Sequence, residues 1–133
     1  MSESLRPTEL RDLVARYVPS MLHLDLLLLL RGGETRSWTA DAAAHALQIE
    51  TRPCAETLDD IRMMQLALRE DVGDGPTYRF HPANPDLAAI VTSLVTVYER
   101  QPVTLIRAIY ESSSGAQRFA DAFRLRNKEE PHG

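Results

Sequence analysis

Apolar positions along the chain change period several times, and each change marks an element. Leu10, Leu13, Val14, Tyr17 and Val18 fall at the i, i+3, i+4, i+7, i+8 spacing of an amphipathic helix over residues 8–18. Thr8 suits its N-cap, Glu9 favours the positive end of its dipole, and Pro19 breaks the chain after it. The run from Met21 to Leu30 is apolar on nearly every side, with Ser20 as a cap and Gly32-Gly33 as a stop. A helix of that kind needs cover, and the helices before and after it are the available covers.

The pattern then shortens. Ser37-Trp38-Thr39 reads as a short strand ending in a helix cap, with the lone tryptophan as a buried anchor. Ala40–Leu47 reads as a helix with a narrow face of Ala43, Ala44 and Leu47. Gln48–Thr51 is the turn, with Ile49 as an apolar plug between helices. A second helix starts near Thr51 or Arg52, takes Pro53 in its first turn, and carries Cys54, Leu58 and Ile61 on one face. Arg52, Glu56, Thr57 and Asp60 are expected on its outer side. From Leu66 to His81 the period drops to two around Val72-Gly73-Asp74-Gly75, which predicts a β-hairpin.

Helical spacing returns after Pro82. Asn84-Pro85 is a cap and first-turn pair, followed by a stripe of Leu87, Ile90, Val91, Leu94, Val95 and Tyr98. Pro102 ends or bends this helix, and Val103, Ile106, Ile109 and Tyr110 form a further stripe. A last short helix carries Phe119, Ala122 and Phe123 among Arg118, Arg124, Arg126 and Lys128. The predicted fold is mainly α with a small β-hairpin wing: one domain over 1–133, with a winged helix-turn-helix core at 20–82 and a C-terminal helical extension at 84–127.

Composition narrows the classes. At 133 residues, 44% hydrophobic and 26% charged, the chain has the makeup of a globular domain with a sizeable core. A single cysteine excludes an internal disulfide and favours a reducing, cytoplasmic location. The apolar run at Met21–Leu30 is about half the ~20 residues of a membrane span and carries His23 and Asp25. No membrane role is expected.

Enzyme chemistry finds no constellation. His23, His45, His81 and His132 have no metal-ligand spacing with Cys54 or with one another. Gly73-x-Gly75 belongs to a turn, not to a phosphate loop, and no nucleophile, base and orienting group assemble. Neither a catalytic site, a metal nor a cofactor is expected. Cys54 reads as a packing residue before it reads as a redox-active thiol.

On the order of its elements, the Trp38-Thr39 lead-in, the helix pair and the wing, Met21–Pro82 resembles the winged helix-turn-helix regulators of bacteria, in the broad MarR-, PadR- and ArsR-like sense. The resemblance implies DNA binding through the second helix, with Arg52, Thr57, Arg69 and Arg79 as contacts and Arg36 as a phosphate clamp. It also implies a homodimer built on helices outside the core.

Charge works against the simplest version. Between Trp38 and Pro82 there are eight acidic residues and four arginines, a balance of −4 that equals the formal charge of the whole chain. DNA affinity rests on cations meeting phosphate. The alternative is therefore a winged helix used as a protein-interaction adaptor. It would engage a partner through its acidic face, or through Phe119, Phe123 and Arg124 on the C-terminal aromatic helix.

Overall fold

The computed structural model describes residues 6–33, 35–73 and 75–112. Five helices and a hairpin follow in the order α1 (Pro7–Tyr17), α2 (Met21–Gly32), α3 (Ala40–Leu47), α4 (Thr51–Met63), β1 (Ala67–Val72), β2 (Gly75–Phe80) and α5 (Pro85–Arg100). Residues 102–112 are helical as well and are called α6.

α2 lies at the centre. Leu24, Leu26, Leu27 and Leu30 are fully buried and its remaining apolar side chains are half-buried, so the helix is covered almost all round. Burying one such leucine is worth roughly 1.5–3 kcal/mol. Leu10, Val14 and Val18 reach this core from the α1 side. Val91, Leu94 and Val95 of α5 and Leu105, Ala108 and Ile109 of α6 reach it from the C-terminal side. The expected covers are therefore the observed ones. Among the described residues no single helix is long and apolar enough to cross a membrane.

Caps set the helix starts. The Ser20 hydroxyl accepts from the His23 amide at 3.2 Å, that of Thr39 from Ala42 at 3.0 Å, and the Asn84 side chain from Leu87 at 2.9 Å. Each is the expected cap. At α1 the cap moves forward: Pro7 is the first helical residue and Arg6 flanks it, because the Glu9 carboxylate accepts from the Arg6 amide at 3.0 Å. Thr8 sits inside the first turn. Pro102 opens α6 at a position where a missing amide costs nothing, after α5 has closed at Arg100.

α3 and α4 form the helix-turn-helix. The turn is tight because Gln48 takes a left-handed conformation (φ 57°), and the Ile49 amide then bonds the Ala44 carbonyl at 2.9 Å. Gln65 repeats the device after α4 (φ 66°) and delivers the chain into β1. β1 and β2 pair antiparallel from Ala67↔Phe80 to Val72↔Gly75. β1 ends at Val72 and β2 begins at Gly75, so the strands run further toward the tip than the four-residue turn expected from sequence. Gly73 (φ 29°) and Gly75 (φ 128°) supply the positive φ that so short a link demands.

Trp38 adds a third edge. Its amide and carbonyl both bond Tyr78, at 2.8 and 2.7 Å, which fixes the segment before α3 to the hairpin. The molecule is a winged helix-turn-helix with added helices at both ends.

Candidate nucleic-acid interface

Helix α4 packs against both α2 and α3, so its buried stripe is wide: Cys54, Thr57, Leu58 and Ile61. This corrects one expected contact. Thr57 is only 6% exposed, and its side chain sits in the helix-packing layer, away from any ligand. Thr51, Arg52, Glu56 and Asp60 are exposed on the opposite side, as the helical period requires.

The acids of α4 do not stand alone. Asp59 Oδ1 accepts from Arg62 through Nε at 2.9 Å and Nη2 at 2.8 Å. The same oxygen lies 3.5 Å from Arg69 Nη1, which reaches across from β1. Arg52 Nε stands 3.5 Å from Glu56 one turn on. Asp60 is held by His23 of α2, Nε2 to Oδ2 at 3.0 Å, while His23 Nδ1 lies 2.6 Å from the Ser20 hydroxyl. A carboxylate only accepts, so His23 donates to Asp60 from Nε2. Sequence counting sums these charges; the fold pairs them locally.

The wing divides its arginines. Arg69 lies opposite Tyr78 and shares its face, with the guanidinium 5.9 Å from the ring centre. Leu68 lies opposite Arg79, so Arg79 is on the other face of the ribbon. The two expected wing contacts therefore cannot act on one surface together. Arg69 also bonds Asp71 at 3.2 Å, and Asp71, Tyr78 and Asp59 all hold its guanidinium more firmly protonated. Arg79 takes part in no ion pair among the described residues.

Arg36 lies over the Trp38 ring, 3.8 Å from its centre, and is exposed. Stacking of this kind fixes the position of the guanidinium plane while leaving its N–H groups free to donate. Gly33 makes room for the pair, since a Cβ there would lie 3.1 Å from Trp38 Nε1 and 3.3 Å from Arg36 Cβ. Sequence reasoning singled out both Arg36 and Trp38 but had no signal for the stack.

Between α4 and the wing lies an open groove of about 430 Å³, lined by Ala55, Glu56, Asp59, Asp60, Arg69 and Tyr78. Three carboxylates face one guanidinium there. No group of three or more His, Cys, Asp or Glu among the described residues could hold a metal ion. Cys54 is fully buried, and burial followed by the charge of Asp41 pushes its thiol pKa up. Phe119, Phe123 and Arg124 lie outside the described residues, as does Asp74 at the wing tip.

No protein-family model matches the chain, and no curated protein matches it in sequence. Among solved structures it is similar to the solution structure of the homodimeric winged helix-turn-helix DNA-binding domain (fragment 1–100) of Mb0332 from Mycobacterium bovis, a possible ArsR-family transcriptional regulator. The two are 22% identical, with 76% of this chain and 93% of that one covered and a TM-score of 0.49. A likeness at this level says nothing of ligands or of residue roles.

Proposed function

We propose that this chain is a small transcriptional regulator that binds DNA as a homodimer, with α4 as the helix that enters the major groove. One observation carries the reading. Asp59, the acid of α4 nearest the wing, is bonded to Arg62 and approached by Arg69, while Arg36 and Arg79 take part in no ion pair among the described residues. Thr51 and Arg52 then stand exposed in the first turn of α4, the part of a recognition helix that meets base edges. Arg52 needs only to leave a 3.5 Å contact between two exposed side chains, which is worth well under ~1 kcal/mol. Arg36, exposed over Trp38, and Arg79, on the face of the wing opposite to Arg69, supply the phosphate contacts.

The test uses duplexes that the protein itself selects from a random pool. Arg52→Ala with Arg79→Ala weakens binding by fluorescence anisotropy, relaxes the selected sequence, and lowers the slope of log K against log salt by roughly one, for the Arg79 phosphate contact removed. If no duplex is selected, or if affinity and slope are both unchanged, the reading fails.

A second reading has its own support in the groove beside α4, whose lining holds Glu56, Asp59 and Asp60 but a single cation, Arg69. A basic protein segment fits that surface better than phosphate does. Under this protein-interaction reading, a partner captured by the full chain is lost on Glu56→Lys with Asp60→Lys and retained on Arg52→Ala with Arg79→Ala.

A further inference from the structure

Ser20, His23 and Asp60 join the start of α2 to the outer side of α4. His23 Nδ1 lies 2.6 Å from the Ser20 hydroxyl, and Nε2 lies 3.0 Å from Asp60 Oδ2. The His23 side chain is only 12% exposed, whereas that of Asp60 is 58% exposed. An enclosed imidazole thus touches a carboxylate that looks outward. Imidazole ordinarily changes its charge between about pH 5 and 8.

We propose that this cluster is a proton-operated clasp that sets the charge α4 presents on its outer side. Both charge states fit the geometry. With the ring neutral, Nε2–H donates to Asp60 and the Ser20 hydroxyl donates to Nδ1. With the ring protonated, both ring N–H groups donate, and the Ser20 hydroxyl turns to accept. Ser20 Oγ already accepts from the His23 amide at 3.2 Å. A hydroxyl oxygen has two lone pairs and so serves both donors. Proton uptake turns one hydroxyl and loses no bond within the cluster.

What changes is the charge. Beside a neutral ring Asp60 is an uncompensated anion; beside a protonated one it belongs to an ion pair. The other charged groups nearby do not take its place. On α4, Glu56 faces Arg52 at 3.5 Å and Asp59 is bonded to Arg62. Asp25 and Arg31 lie on α2 itself. Asp41 and His45 of α3 and Tyr78 and Arg79 of β2 belong to elements that pack on α2, and Asp12 and Arg16 belong to α1, which shares its core. Among the described residues none of these pairs with the His23 ring, and Asp60 alone does. The clasp itself needs neither functional reading, but its effect on a ligand rests on which one holds. DNA on α4 binds more tightly as pH falls. A basic protein segment beside Asp60 binds more weakly.

NMR on the full chain reads the clasp without a ligand. Between about pH 5.5 and 8 the His23 ring nitrogens and the Asp60 carboxyl carbon change together, and in His23→Gln the Asp60 signal stays flat. Glutamine keeps a donor for Asp60 and an acceptor for Ser20, so α2 and α4 stay docked. A ring that keeps one charge over this range overturns the proposal, as does an Asp60 signal that ignores the ring. The second arm uses a duplex that the protein selects. The gain in affinity from about pH 7.5 to 5.5 is about threefold or more larger for the wild type than for His23→Gln. The other three histidines are common to both proteins and cancel in the comparison. Asp60→Asn, a change to an exposed side chain, tightens binding at about pH 7.5 by a similar factor. Equal pH responses with the NMR coupling intact place DNA away from α4, which sinks that reading and leaves the clasp standing. If no duplex is selected, the DNA reading fails and the NMR titration alone decides the clasp.

Discussion

Cys54 shows how position in the fold decides what a side chain does. It lies in the first turn of α4, where the helix dipole favours a thiolate, yet its sulfur is fully buried between helices. Burial dominates, Asp41 adds to it, and the thiol pKa rises. Two outcomes follow. Ellman's reagent reacts with the folded protein only as fast as the protein opens. In addition, above about pH 8.5, where an unfolded cysteine ionises, the unfolded chain releases a proton that the folded chain keeps. The stabilising contribution of the buried thiol is complete below that pH and is lost as pH rises through the folded-state pKa. Denaturant midpoints across this range therefore fall more steeply for the wild type than for Cys54→Ala. Equal slopes, or rapid labelling of the native state, refute the packing role.

At the scale of elements, the ion pairs around α4 are the device that distinguishes this winged helix from its sequence. Asp59 is the hub, binding Arg62 within α4 and Arg69 from β1. Asp59→Ala removes one negative charge and releases the Arg62 guanidinium toward solvent, while Arg69 keeps its 3.2 Å contact with Asp71. The Asp59–Arg62 pair is more than a third exposed, so its loss costs less than ~1 kcal/mol. On the DNA-binding reading, affinity instead rises several-fold and its salt slope steepens, because the freed Arg62 gains access to phosphate. Unchanged affinity in an anisotropy titration places DNA away from α4. Helices, wing and caps were legible in the sequence because each rests on local chemistry: a period, a cap at Ser20, Thr39 or Asn84, a glycine link at Gly73 and Gly75. Pairing between elements was not. Nothing in the sequence ties His23 to Asp60 or Asp59 to Arg69, since those contacts exist only after α2, α4 and β1 have docked. Thr57 was misplaced for the same reason: α4 packs against two neighbours, so its buried stripe is broader than the apolar residues alone indicate.

For the whole molecule, the question is whether the wing and the added helices form one cooperative unit with α2. The buried residues form a single cluster, running from Leu10 in α1 through Leu26 and Leu30 to Tyr78 in the wing and Ile109 in α6. Trp38 is placed to report on it. Its backbone bonds β2 while its ring is buried beneath Arg36. Its indole N–H, buried with no hydrogen-bond partner, carries a desolvation cost of roughly 1–3 kcal/mol that the surrounding packing must offset. Loss of the wing alone removes both backbone bonds that hold Trp38 to Tyr78 and so changes the fluorescence of the lone tryptophan. If the cluster is one cooperative core, Trp38 fluorescence and far-UV circular dichroism change together through a urea transition. Leu26→Ala, at the centre of the cluster, lowers stability by about 2–5 kcal/mol and shifts both signals equally. If fluorescence moves at lower urea than helicity does, the wing and the Trp38 edge open before the helical core. The surface that α4 and the hairpin share then exists only part of the time.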